Sequence, residues 1–222
     1  MLLGIDTSIG TAVAVIDPDG VVRAERSSEN PLGHAEVIGT LLRDALEDAA
    51  MAPAQGVLAP APDLVTHVAA GMGPGPFTGL RIGIAAARAF ALARDIPVVP
   101  VVSHDAVALG ILLGAQLADT DTGAFAVVTD ARRREFAYTV YDGIDDDGLP
   151  VRATEPALVA RDGVDARLAG IARVDATAVP ASMLALVAAR ALAAGRSSGP
   201  DQPLYLRAPD VTVGQGPKRV SA

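Results

Sequence analysis

Residues 71–93 read GMGPGPFTGLRIGIAAARAFALA, and this stretch decides how the rest of the chain is read. Four glycines and two prolines fall between Gly71 and Gly79. Neither residue type suits the interior of a helix or a central strand, because ordered glycine loses the most entropy and proline has no N–H to donate. The run is a fixed, tight turn. An apolar run of strand type, 64–70, precedes it, and Leu80, Ile84, Ala87 and Ala91 follow at helical spacing. The order is therefore strand, glycine turn, helix.

Neither the dinucleotide fingerprint nor the P-loop fits, since counting from Gly73 puts Thr78 where a third glycine is needed, and no lysine closes the run. The helix instead carries small residues at every fourth position, Gly79, Gly83, Ala87 and Ala91. Such a face lets another backbone approach closely. Arg81, Arg88 and Arg94 exclude a lipid span, so the contact is made in water, either inside the same domain or with a partner helix.

Working outward, the chain before the turn offers apolar strands at 2–6, 11–17 and 21–25, then a two-faced helix over 34–51 with Val37, Ile38, Leu41, Leu42, Ala45, Leu46 and Ala49 on one side. After the turn come a strand at 97–102 and a helix at 103–117, with Ser103 as its expected N-cap. This βββαβαβα order, over 1–118, implies an α/β domain whose parallel sheet opens with an antiparallel meander. A polar linker follows, and then the opening pattern returns. A strand ends at Asp130, a short turn 131–134 leads to a strand at 136–141, and an acidic turn closes it, as Asp6, a turn and a second strand do at the start. Strand, aspartate, tight turn and strand thus occur twice, an internal duplication. The second copy, 124–208, is reduced: a weak strand at 153–159, a segment to Val174, one helix at 181–194, and Tyr205-Leu206-Arg207. Residues 209–222 read as a mobile tail.

The totals exclude several functions. The 222 residues contain no cysteine, which removes disulfide frameworks and thiolate metal sites. His34, His67 and His104 are the only histidines and none stands three or four from another, so no helical metal site is expected. A net charge of −8 repels a phosphate backbone, and the lack of tryptophan leaves little on which to stack bases. The apolar run 2–5 is too short for a signal peptide or a span, so the expected location is cytoplasmic. No nucleophile motif or other catalytic constellation can be assembled. Asp6 and Asp130 would face one another across an interdomain cleft, with hairpin N–H groups gripping phosphates and Arg132, Arg133 and Arg134 adding charge; alternatively both aspartates only cap turns.

Ile5-Asp6-Thr7-Ser8, the run GPGPFTGLRIG, Asp130-Ala131-Arg132-Arg133 and Tyr205-Leu206-Arg207 together resemble the TsaB (YeaZ) family over nearly the whole chain. The resemblance implies an actin/Hsp70/sugar-kinase fold of two ribonuclease H-like lobes, the second reduced. It implies a noncatalytic role beside TsaD, the threonylcarbamoyl transferase, and the ATPase TsaE, in making threonylcarbamoyladenosine next to the tRNA anticodon. tRNA would be met only through the complex, no membrane would be involved, and no cofactor would be required, with weak ATP or ADP binding at most. Asp6, Thr7, Asp130 and Arg132 would line the vestigial nucleotide cleft. The partner contact, to TsaD or to a second copy, would fall on His34, Val37, Leu41, Leu46, Gly79, Gly83 and Ala87, so Gly83→Arg is expected to break it while sparing the fold. Pro76 departs from the serine usual in the family. The rival reading is a small-molecule kinase or ATPase of the same fold.

Overall fold

The computed structural model describes residues 1–30, 33–51 and 64–207. The Pro/Ala/Gly-rich stretch 52–62, whose sequence has no periodicity, and the residues from 209 lie outside them. Strands β1 (Leu2–Asp6), β2 (Thr11–Ile16) and β3 (Val22–Ser28) form the antiparallel meander, and β4 (His67–Gly71) and β5 (Val98–Val101) join it in parallel. The sheet order is β3-β2-β1-β4-β5. Helix α1 (His34–Met51) and helix α2 (Phe77–Arg94) cover one face. There Leu3, Ile5, Val13 and Val15 meet Ile38, Ala45 and Leu46 of α1 and Leu80, Ile84 and Ala87 of α2 in one buried cluster. Each such large aliphatic side chain contributes about 1.5–3 kcal/mol by leaving water.

The second sheet repeats the plan. Strand β6 (Phe125–Asp130) lies between β10 (Ala172–Asp175), parallel to it, and β7 (Glu135–Ile144), antiparallel. β8 (Pro150–Arg152) and β9 (Ala157–Ala160) both pair with β7. The weak strand expected at 153–159 is the shorter β9, and β8 lies ahead of that range; β7 is long enough to pair with β9 along 135–138 and with β8 along 141–144. The order β8-β7-β6-β10 matches β3-β2-β1-β4 of the first sheet, and β5 has no counterpart among the described residues. The short helix α4 (Val164–Arg167) covers the outer face through Val164 and nearby Leu168.

Between the sheets lie α3 (Ser103–Leu117) and α5 (Ala181–Ala193), packed on each other. Their apolar residues join Leu2 and Ile16 of the first sheet to Phe125, Val127 and Tyr141 of the second in one core. Although α5 ends the reduced copy, it rests on β1, β2 and β4 of the first. Gly4 makes this approach close, since a Cβ there would stand 2.3 Å from the Ala181 carbonyl oxygen. The Glu25 carboxylate reaches across to the first turn of α5, accepting the Ser182 N–H at 3.1 Å and its hydroxyl at 2.8 Å. A negative group suits that end of a helix. Ser103 is not the N-cap of α3: Val102 holds that position and Ser103 begins the helix.

Candidate functional site: the cleft between the lobes

The glycine turn is held from beneath by the first hairpin. Asp6, at the end of β1, is 1% exposed, and its carboxylate accepts the Ser8 N–H at 2.8 Å and the hydroxyls of Ser8 and Ser103 at 2.5 Å each. Burial pushes its pKa up. The Ser103 hydroxyl also accepts the Gly73 N–H at 3.0 Å, so one serine ties the aspartate to the turn. Thr7 donates its hydroxyl to the Gly79 carbonyl at 2.7 Å and accepts the Gly83 N–H at 3.1 Å. Glycine is required at these crossings: a Cβ would come to 1.9 Å from Asp6 Oδ2 at Gly71 and to 2.2 Å from Thr7 Oγ1 at Gly83.

These contacts correct two expectations. The small-residue ladder of α2 makes a close contact within the chain, on Thr7 and beside the His34 ring. Gly79, Gly83 and Ala87 are buried, and Gly83→Arg would wreck the seat of the first hairpin instead of sparing the fold. His34, also buried, bonds through Nδ1 to the Thr11 hydroxyl at 2.8 Å. Leu46 belongs to the core, Leu41 is half-buried against it, and Val37 is half-buried. Asp6 and Thr7 do not face a cleft at all; the glycine turn lies over them.

A cleft of about 510 Å³ does open on the other side of that turn. Its first wall is Pro74–Gly79 with His34 and Ile82, its second is Thr129–Arg133 with Ala137 and Leu158, and its third is 204–207. Asp130 and Arg132 therefore reach it. Asp130 is exposed, bonded to the Arg132 N–H at 2.7 Å and paired with Arg161 at 2.7 Å. Arg132, Arg133 and Arg134 adopt φ of 62°, 51° and 63°, three successive left-handed residues in the turn. On the third wall the Tyr205 ring lies 4.7 Å from that of Phe77, and Arg81 sits 3.7 Å above Phe77.

Ser103, expected only as a cap, and the two residues after it hold the two lobes in register. Ser103, His104 and Asp105 are consecutive and buried, and each bonds to a different element. Ser103 serves Asp6, while His104 lies between the hydroxyls of Thr139 at 2.8 Å and Thr129 at 3.0 Å. Desolvation lowers the His104 pKa to about 3, so the ring is neutral. Asp105 accepts from the Tyr141 hydroxyl at 2.8 Å and from Arg152 Nε at 2.7 Å. These partners lie 25 to 97 residues away, and no local pattern announces them. The aspartate turns themselves were readable, because an aspartate bonding the N–H two residues on is a common turn device. Among the described residues no group of three or more His, Cys, Asp or Glu could hold a metal ion.

Residues 24–158 match the protein family described as TsaD: tRNA N6-adenosine threonylcarbamoyltransferase. An uncharacterized protein of Mycobacterium tuberculosis is 38% identical over 219 residues, which cover 94% of this chain and 92% of that one. The tRNA N6-adenosine threonylcarbamoyltransferase of Streptococcus sanguinis is 41% identical over 83 residues, only 37% of this chain and 21% of the enzyme. Among solved structures, YeaZ from Pseudomonas aeruginosa superposes with a TM-score of 0.68 at 25% identity, covering 92% of this chain and 99% of its own.

Proposed function

This chain belongs to the YeaZ (TsaB) family of TsaD-like proteins, and on that footing we propose that it is a noncatalytic partner of the TsaD threonylcarbamoyl transferase, acting in the formation of threonylcarbamoyladenosine beside the tRNA anticodon. The observation that carries the reading is the outward side of the α1/α2 pair. Leu41, Leu42, Ile82, Ala86 and Phe90 pack against the core yet keep part of their apolar surface exposed, as does Val37, and Ala85 and Ala89 of α2 are exposed. A paralogue with the same two helices can meet this side about a pseudo-twofold axis, in a contact that uses like surfaces on both subunits.

The chemistry then lies in the partner. Asp6 and Thr7, the residues that a kinase of this fold would turn towards a nucleotide, spend their polar groups on Ser8, Ser103, Gly79 and Gly83. This disfavours the kinase alternative and leaves at most weak ATP or ADP binding in the cleft. With a net charge of −8, the chain would rely on the rest of the complex, TsaE included, to engage tRNA. The role is a cytoplasmic one, and no helix among the described residues is long and apolar enough to cross a membrane.

The test is the mass in solution of this chain mixed with TsaD of its own organism, by light scattering on a sizing column. A heteromer is expected. Ala85→Arg, at an exposed position, should weaken it at least about tenfold while leaving the urea midpoint unchanged. If the two proteins elute separately even with nucleotide and TsaE present, the partner reading fails.

A further inference from the structure

The segment 196–207 leaves the end of α5 and crosses from one lobe to the other. Ser198 forms a parallel bridge to Val101 at the edge of β5, and its hydroxyl donates to the Pro100 carbonyl at 2.8 Å. Arg88 of α2 donates to the Asp201 carbonyl at 3.0 Å, and the Leu204 N–H donates to the Met72 carbonyl at 2.7 Å. Up to Leu204, backbone atoms of the segment are thus tied to the first lobe, and the Ser198 carbonyl also accepts from Arg152 of the second at 3.1 Å.

Beyond Leu204 the attachment changes in kind. The N–H groups of Tyr205 and Leu206 donate to Pro203 and Leu204, inside the segment itself. What holds these residues down is side-chain contact: Tyr205 against Phe77, the exposed bond from Arg81 Nε to the Tyr205 hydroxyl at 3.2 Å, and the ion pair of Arg207 with Glu135 of the second lobe. That pair is about one-third exposed on each side, 34% and 32%, where ion pairs are weak. Yet these same residues form the third wall of the cleft.

We propose that Tyr205-Leu206-Arg207 is a flap hinged at Leu204, latched to both lobes by Arg81 and Glu135, which couples the interlobe cleft to a TsaD partner seated on the α1/α2 side. The coupling half rests on the partner reading above. Thr78 and Ile82 line the cleft, and Ile82 is also one of the half-buried apolar residues named above, so a partner seated on them borders the cleft mouth. Arg81, which holds Tyr205, lies one turn from Ala85 on that same helix. A docked partner therefore restrains Arg81 and, through it, the flap.

Hydrogen exchange and tyrosine nitration read this directly. In the isolated chain, Arg81→Ala and Glu135→Gln should each speed amide exchange of 205–207 by at least about fivefold, with the Leu204 amide unchanged. Equal exchange in all three proteins overturns the flap, and so does a Leu204 amide that speeds up with the rest. Tyr138 and Tyr141 are 3% and 0% exposed, so Tyr205 is the tyrosine open to tetranitromethane. TsaD should slow its nitration severalfold in wild type and leave it unchanged in Ala85→Arg. A heteromer that forms by light scattering without slowing nitration overturns the coupling. A mixture that forms no heteromer sinks the partner reading and the coupling together, and the flap is still judged on exchange in the isolated chain.

Discussion

In the first lobe the carboxylate of Asp6 accepts the Ser8 N–H at 2.8 Å, and in the second the carboxylate of Asp130 accepts the Arg132 N–H at 2.7 Å. The two turns share this bond, their place after the first strand of a sheet, and the antiparallel strand that follows. Their surroundings are opposite. Asp6 is sealed under the glycine turn with two serine hydroxyls, whereas Asp130 stands at the cleft with Arg161 as its partner. The duplicated turn has become a foundation in one lobe and a rim in the other. Position in a duplicated fold therefore does not assign a role; what covers the position does.

The comparison breaks most visibly if the two aspartates are removed. Asp6→Ala orphans the Ser8 N–H and two buried hydroxyls, which should cost about 3 kcal/mol or more. Asp130→Ala gives up an exposed bond and a surface pair, with a loss of about 1 kcal/mol or less. Urea unfolding of the two variants measures both. Equal losses would mean that the glycine turn does not depend on Asp6 for its seat.

A smaller effect comes from the residue that follows Ser103. His104 bonds to Thr129, the neighbour of Asp130, so successive residues of α3 hold the two turns. Its folded pKa of about 3 lies below the value of about 6.5 expected in the unfolded chain. The unfolded state thus takes up a proton first as pH falls, and stability is lost from about pH 6.5 downward, with a limiting slope near 1.4 kcal/mol per pH unit. Stability at pH 5 should be roughly 2 kcal/mol below that at pH 7 from this residue alone. His104→Gln does not titrate, so the difference between wild type and variant across pH isolates the contribution. A constant difference would show that the folded and unfolded chains bind protons equally at this ring, so that burial does not shift its pKa.

Much of this fold is legible in the chain itself. The 34–51 helix follows from its two-faced pattern, and the repeated strand, aspartate, turn and strand gives the duplication. The glycine turn before α2 is equally plain. The ladder of small residues announces a close contact but not its partner, since a bare backbone at Gly79 and Gly83 fits Thr7 as readily as another molecule. Nor does the 181–193 helix declare that it covers the other lobe's sheet, because an alanine-rich face suits either sheet. The bonds of Ser103, His104 and Asp105 are long-range, and polar residues at the start of a helix normally read as caps. The cleft was legible only by half: Asp130 and Arg132 reach it, while Asp6 and Thr7 are covered by a loop whose path no spacing rule supplies.

The smallest expected effect sharpens the contrast at the rim. The turn 131–134 places three arginines in the left-handed region, where a side-chain-bearing residue is disfavoured by about 1–2 kcal/mol relative to glycine. Glycine in turn loses about 0.5–1 kcal/mol more entropy on folding. Arg134→Gly should therefore be neutral or stabilise by up to about 1 kcal/mol, whereas adding a single Cβ at Gly71 under the first turn cannot be tolerated without movement. Thermal unfolding of Arg134→Gly decides the matter. A gain means that Arg134 is kept in the left-handed region at some cost to the fold. A clear loss means that the Arg134 side chain itself supports the turn, and the second hairpin is then as structural as the first.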